Sequence, residues 1–194
     1  MIRQMALECI GFDDNGRLVR IAGPSPDDIP LIYVAFVGGE WLRFCRYDVS
    51  NEVCAQLNGV PSSQVSRTVI AKIAQSDGAA IWEGSAYHFA GVPAVSSNLQ
   101  LEKENGRFRI RTGNKVVCEA WSSREDDFAA ELAVETVEGY RRLGYGKVVA
   151  AAWATEIIMK GKVAFYSHRD INIASSALAH SLGVERFMTV ICHG

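Results

Sequence analysis

The sequence predicts an α/β (α+β) chain in which a mixed, mostly antiparallel sheet is flanked by helices. Three observations carry this. Between Phe108 and Val137 apolar runs of strand length are separated by turn dipeptides, so neighbouring strands run antiparallel. A basic turn with two glycines, Arg141 to Lys147, then leads from a strand into a long apolar helix ending near Gly161. Beyond it come a short apolar strand, a capped helix and a last strand.

In chain order, the short apolar start is followed by a turn at Asp13-Asp14-Asn15-Gly16 and a Pro/Asp-rich loop from Gly23 to Pro30. Leu31 to Val37 and Glu40 to Tyr47 read as strands around Gly38-Gly39, with Trp41 and Phe44 packed on one side or the other. Asp48 or Ser50 caps a helix through about Leu57, and Ser62 or Ser63 caps another through about Ala74. In that second helix Val65, Val69, Ile70 and Ile73 make an apolar stripe at helical spacing, the pattern of a core face. Ala79 to Trp82 and Ala86 to Phe89 are two short apolar pieces, with a loop from Gly91 to Asn98 behind them. Trp82, Tyr87 and His88 either line a substrate pocket or pack as core aromatics with a polar tip. Glu102 to Gly106 is charged and ends in Asn105-Gly106, a strong hairpin signal. Phe108 to Arg111, Lys115 to Trp121 and Glu131 to Val137 then form the meander. Val163 to Ser167 has the continuous apolar character of a buried strand. Asp170 or Asn172 opens the next helix, Gly183 lies just past its end, and Phe187 to Cys192 is the final strand.

Composition bounds the function. With 194 residues, 48% of them hydrophobic, the chain can bury a real core. Twenty Lys and Arg against 22 Asp and Glu leave a net charge of −2, which argues against a general nucleic-acid binder. Cys9, Cys45, Cys54, Cys118 and Cys192 are odd in number and lack zinc-like spacing, so reduced, mostly buried thiols and no metal are expected. No leader pattern and no apolar run of about 18 residues points to export or membrane insertion. The expected location is cytoplasmic.

The turn Arg141-Arg142-Leu143-Gly144-Tyr145-Gly146-Lys147 has the chemistry of an anion cradle. Its glycines let backbone N–H groups converge on oxygens, the helix behind aims its positive end at the same point, and three cations suit a diphosphate. A tight strand-to-helix connection with solvated basic residues fits the same letters, so context decides. A Rossmann loop would follow the first strand of a βαβ unit, whereas antiparallel strands precede this one. A P-loop needs Gly-x-x-x-x-Gly-Lys-Ser/Thr, and Gly144-Tyr145-Gly146-Lys147-Val148 has neither that spacing nor the hydroxyl.

With its strand-turn-helix setting, this turn resembles Arg/Gln-x-x-Gly-x-Gly/Ala of the GNAT acyltransferase superfamily. The likeness is best over Val117 to Val184 and includes Trp121-Ser122-Ser123-Arg124 and Tyr166 to Gly183, where Asn172, Ser175 and Leu182-Gly183 match the family's Asn-x-x-Ser/Ala and Leu-Gly-Phe. Glu131, Glu135-Thr136, Tyr140-Arg141, Gly144-Tyr145 and Ala152-Trp153 are also similar to a bacterial subgroup. The resemblance implies the GNAT acyl-CoA N-acyltransferase fold, with a divergent, acceptor-side part over residues 1–95 and a cofactor-binding core over 96–194 in one compact unit. It also implies acetyl-CoA as cofactor and direct transfer to a primary amine of a small molecule or peptide. A non-catalytic acyl-CoA-binding or sensing module is the alternative. A homodimer stays open; neither nucleic acid nor membrane is an expected partner.

The implied cofactor residues are Val134 and Thr136, pairing with the pantetheine arm, Arg141, Arg142, Leu143, Gly144, Tyr145, Gly146 and Lys147 around the pyrophosphate, and Asn172 and Ser175 on the far side. In such a fold the strands at Glu131 to Val137 and Val163 to Ser167 splay apart, and an N–H near Thr136 or Val137 polarises the carbonyl. An alkyl amine, protonated at neutral pH, needs a base, for which Glu131 and Glu135 are the candidates. The plain alternative is a glutamate that is solvated or paired with an arginine. His168 at the end of a strand is a further candidate base. Relatives often place a tyrosine where this chain has Ala179 and a phenylalanine where it has Val184; Tyr166, Ser175 or water then protonates the leaving thiolate, or no protein acid does.

Overall fold

The computed structural model describes residues 1–8, 10–21, 29–76, 78–94 and 98–194. Cys9, most of the Gly23 to Pro30 loop and the middle of the Gly91 to Asn98 loop lie outside the described residues. The chain divides into two compact units. One comprises Met1–Ala86, Arg169–Ile171 and Arg186–Gly194; the other comprises Tyr87–His168 and Asn172–Glu185.

The first unit begins with α1 (Ile2–Leu7) and a small hairpin, β1 (Ile10–Phe12) and β2 (Leu18–Arg20). Its sheet holds β3 (Ile32–Val37) between β4 (Glu40–Cys45) and the last strand of the chain, β11 (Glu185–His193), both antiparallel to it. Beyond β11 lies β5 (Ile81–His88), whose first six residues belong to this unit. Strand alternation gives the sheet two apolar faces. Tyr33, Ala35, Met188 and Val190 pack with Met5 of α1, whereas Ile32, Val34, Cys45 and Ile191 pack under α2 (Asn51–Asn58) and α3 (Arg67–Ile73).

Ser50 caps α2, its Oγ accepting from Val53 N at 3.3 Å. The second helix starts later than the sequence predicts. Ser62 and Ser63 lie in a 3-10 turn, Ser62–Gln64, and Ser66 is the cap, accepting from Val69 N at 3.4 Å. The backbone turns extended at Val65 and Ser66, so the helical stripe effectively begins with Val69 and Ile70. The two apolar pieces near residue 80 are one strand, β5, running through Glu83-Gly84-Ser85. Those polar groups are satisfied in place: Ser85 Oγ donates to Asp170 Oδ1 at 3.0 Å and Asp170 N donates to Glu83 O at 2.9 Å. Helix α1 has no counterpart in the sequence reading.

The second unit is a sheet with α4 (Tyr145–Met159) and α5 (Ile173–Leu182) packed on it. Its strands are β6 (Leu101–Glu104), β7 (Arg107–Thr112), β8 (Lys115–Glu125), β9 (Ala129–Thr136) and β10 (Val163–Arg169), side by side in that order. The meander thus has four members instead of three. Leu101–Glu104 escapes a hydrophobicity reading because it is an edge strand, where charge is favoured. Pairing is antiparallel from β6 to β9 and parallel only between β9 and β10. Helix α4 lies across β7, β8 and β9, burying Val149, Ala150, Trp153, Ala154 and Ile157 against Phe108, Ile110, Ala120 and Leu132. Trp153 Nε1 donates to Ser122 Oγ at 3.1 Å, which satisfies the one polar atom that this indole buries.

Candidate active site

Two local features of the second unit converge on the head of α4. First, the parallel ladder between β9 and β10 holds three pairs, Val163 with Ala129, Ala164 with Ala130 and Phe165 with Glu131, and then stops. Both strands continue, β9 to Thr136 and β10 to Arg169, so from Leu132 onward the β10-facing edge of β9 is no longer paired with β10. This is the divergence expected between them.

Second, the turn before α4 leaves its amides open. Gly144 is the N-cap with φ +81°, and Arg142 also stands in the left-handed region at φ +62°. The first N–H of the segment with a protein acceptor is Val148 N, bonded to Gly144 O at 3.3 Å; the six amides from Arg142 to Lys147 have none among the described residues. Orphan N–H groups at a helix head, with the helix dipole behind them, form a site for an anion. Arg142 and Lys147 have no carboxylate partner among the described residues, and Arg141 Nε donates to Thr136 O at 3.3 Å.

The two glycines have different tasks. Gly144 has open space where a Cβ would stand, so its requirement is conformational. At Gly146 a Cβ would lie 3.6 Å from Val134 Cγ1 and 3.7 Å from both Thr136 Oγ1 and Leu178 Cδ1, ordinary contact distances. Gly146 thus seats the head of α4 on β9 and α5, and brings Val134 and Thr136 beside the turn. Thr136 Oγ1 is also 3.1 Å from Cys118 Sγ. The Val137 amide donates to Val117 O at 2.9 Å and so completes the ladder with β8. That leaves Thr136 as the remaining candidate of the pair expected to polarise a carbonyl.

Asn172 and Ser175 come together at the start of α5. Asn172 is its N-cap, with Oδ1 accepting from Ser175 N at 3.1 Å. Burial pushes the Tyr166 phenol above its ordinary value, and Ser175 partly offsets the rise. Replacing Asn172 by alanine is expected to cost about 1 kcal/mol of stability, read as a lower urea midpoint, while aspartate at the same position retains the cap.

The candidate bases occupy one face of β9, opposite Val134 and Thr136, and differ in surroundings. Glu131 is 3% exposed, sits at the last pair of the β9–β10 ladder, and accepts from Arg124 Nη1 at 2.6 Å and from Ser167 Oγ. Arg124 is half exposed. Glu135 is exposed and stands across from Glu119 on β8. His168 stacks on Tyr87, ring centroids 5.4 Å apart, and Tyr166 lies 5.9 Å from His168. His88 pairs with Glu185 at 3.5 Å, and Trp82 lies under the Arg169 guanidinium. The residues that the sequence reading did not connect with Glu131 are Arg124 and Ser167; only the Trp121-Ser122-Ser123-Arg124 segment hinted at the first.

A mostly antiparallel sheet with one diverging parallel pair and a glycine turn at the head of its central helix defines an acyl-CoA N-acyltransferase fold. Residues 99–189, just under half of the chain, match the family profile described as GNAT acetyltransferase. The family and fold support acyl transfer in general.

Similar solved structures include a GNAT-family acetyltransferase from Colwellia psychrerythraea, at TM-score 0.53 and 11% identity over 95% of this chain and 79% of that one. A GCN5-related N-acetyltransferase-like protein from Streptococcus suis gives TM-score 0.50 and 15% identity over 95% and 88%. A GNAT-family structure from Novosphingobium aromaticivorans gives TM-score 0.48 and 15% identity; this chain spans 66% of its length, and 59% of this chain is covered. At such identities the first two likenesses are of fold alone. No curated protein matches significantly. Among the described residues no helix is long and apolar enough to cross a membrane.

Proposed function

We propose that this chain is an N-acetyltransferase that moves an acetyl group from acetyl-CoA directly to a primary amine of a small molecule or peptide. The observation that supports it most is the row of six unbonded amides at the head of α4, beside the open edge of β9. In this reading the amides of Arg142, Leu143, Gly144, Tyr145, Gly146 and Lys147 hold the pyrophosphate, assisted by the side chains of Arg141, Arg142 and Lys147. Val134 to Thr136 align the pantetheine arm along the unpaired edge, and Asn172 and Ser175 close its far side. Residues 96–194 carry the cofactor and residues 1–95 the acceptor side. Cytoplasmic location and a homodimer belong to the same reading.

Bound acetyl-CoA supplies an activated thioester; the protein positions it and moves protons. Glu131, oriented by Arg124 and Ser167, takes the proton of the amine directly or through water, with Glu135 as the solvent-facing alternative. Burial, which Ser175 only partly offsets, keeps the Tyr166 phenol protonated, so it suits protonation of the departing thiolate. Calorimetry with coenzyme A, followed by thiol release from acetyl-CoA across a panel of amines, tests the reading. Saturable binding with acceptor-dependent release is expected; no binding would overturn it.

Two observations favour a second reading. Buried Ala179 stands where relatives often carry a tyrosine, and Glu131 is already ion-paired. A non-catalytic acyl-CoA-binding module would bind coenzyme A tightly and release no thiol with any amine.

A further inference from the structure

We infer that Cys45 and Cys54, held together beside Arg17 in the first unit, form a reversible redox pair that closes to a disulfide on exposure to a hydroperoxide. Cys45 ends β4 and is 5% exposed; Cys54 lies in the first turn of α2 and is 8% exposed. Both are free thiols of one buried cluster, and Cys54 is close enough to act on the Cys45 thiol. Arg17 Nη1 donates to Cys54 Sγ at 2.5 Å and to Val49 O at 3.2 Å, while Nη2 donates to Asn51 Oδ1. The guanidinium is fixed from behind, because Asp13 Oδ1 accepts from both Asn15 N and Arg17 N at 2.9 Å and so rigidifies the β1–β2 turn. A half-buried cation against one sulfur, with a second thiol in the same cluster, is the environment of a reactive and a resolving cysteine. Burial, then the hydrogen bond and charge of Cys54, push the Cys45 thiol up to about 12, so the first attack falls to Cys54.

The chemistry balances with the hydroperoxide as oxidant. Cys54 sulfur attacks the O–O bond, which breaks; the sulfur becomes a sulfenic acid and, with hydrogen peroxide, one water leaves. Cys45 sulfur then attacks Cys54 sulfur, the S–O bond breaks, and the departing hydroxide takes the Cys45 proton as a second water. Two thiols are oxidised and one peroxide is reduced. The product ties the end of β4 to the first turn of α2 and removes the thiol that Arg17 contacts.

Treating the native full chain with stoichiometric hydrogen peroxide is expected to remove about 2 Da from the intact mass, reversed by dithiothreitol, with peptide mapping joining Cys45 to Cys54. Cys45→Ser is expected to stop at a gain of about 16 Da that dimedone traps, and Arg17→Ala to slow oxidation by about tenfold. An unchanged wild-type mass, a crosslink to a different cysteine, or an Arg17→Ala variant that oxidises as fast as the parent would each overturn the inference. The mapping is done on the parent chain, so a misfolded variant leaves the decision intact.

Discussion

Gly144→Val is expected to weaken coenzyme A binding by more than about 100-fold, since each charge-assisted hydrogen bond it misdirects is worth roughly 1.5–3 kcal/mol. Valine avoids φ near +81°, so the turn relaxes and its N–H groups no longer point to one place. Because a Cβ at this position meets no atom within 4 Å, no core contact is lost. The fold is expected to survive with a penalty of about 1–3 kcal/mol. Gly146→Ala is the control. Its Cβ enters a space of ordinary contact distances between Val134, Thr136 and Leu178, and alanine is the better helix former by about 0.5–1 kcal/mol. Calorimetry should show Gly146→Ala near parental affinity. Unaltered binding by Gly144→Val would remove the turn as the anion site.

The second large effect concerns Glu131. With an amine that supports thiol release, Glu131→Gln is expected to lower turnover by about 100-fold or more and leave coenzyme A affinity within about twofold. The amide keeps the volume and can still accept from Ser167, but it removes the negative charge that faces Arg124. Arg124→Ala asks a different question, because it removes the guanidinium that faces a carboxylate of 3% exposure. A fully buried orphan charge costs about 3–5 kcal/mol, and Arg124 is itself half exposed, so about 1–3 kcal/mol is expected here. Urea denaturation beside steady-state kinetics separates the roles. If Glu131 serves structure alone, both variants lose turnover only in proportion to lost stability; a pH profile flattened by Glu131→Gln alone assigns it to proton transfer.

What could be read from the sequence was what is decided within a few residues. The Gly144 turn, the long helix behind it, the Asn172 cap and the Gly183 stop each declare themselves by local backbone chemistry. Where several neighbours offer the same chemistry, the reading slips: Ser62, Ser63 and Ser66 can all cap, and backbone geometry selected Ser66. Strand β5 looked interrupted because the group that satisfies Ser85 is Asp170, 85 residues away. The partnership of Glu131 with Ser167 spans 36 residues and two strands, so no spacing within one segment could announce it. The family likeness pointed to the carboxylate, and only the fold revealed what surrounds it.

The short edge strand β6 bears on self-association. Its sequence Leu101-Glu102-Lys103-Glu104 is charge-symmetric about Lys103. Were a second molecule to add antiparallel across this rim, centred on that lysine, ammonium would oppose ammonium and each Glu102 would meet a Glu104. Facing like charges repel, so that route to fibres or ribbons is discouraged. In that register the rim of the second unit resists edge-to-edge pairing with a copy of itself.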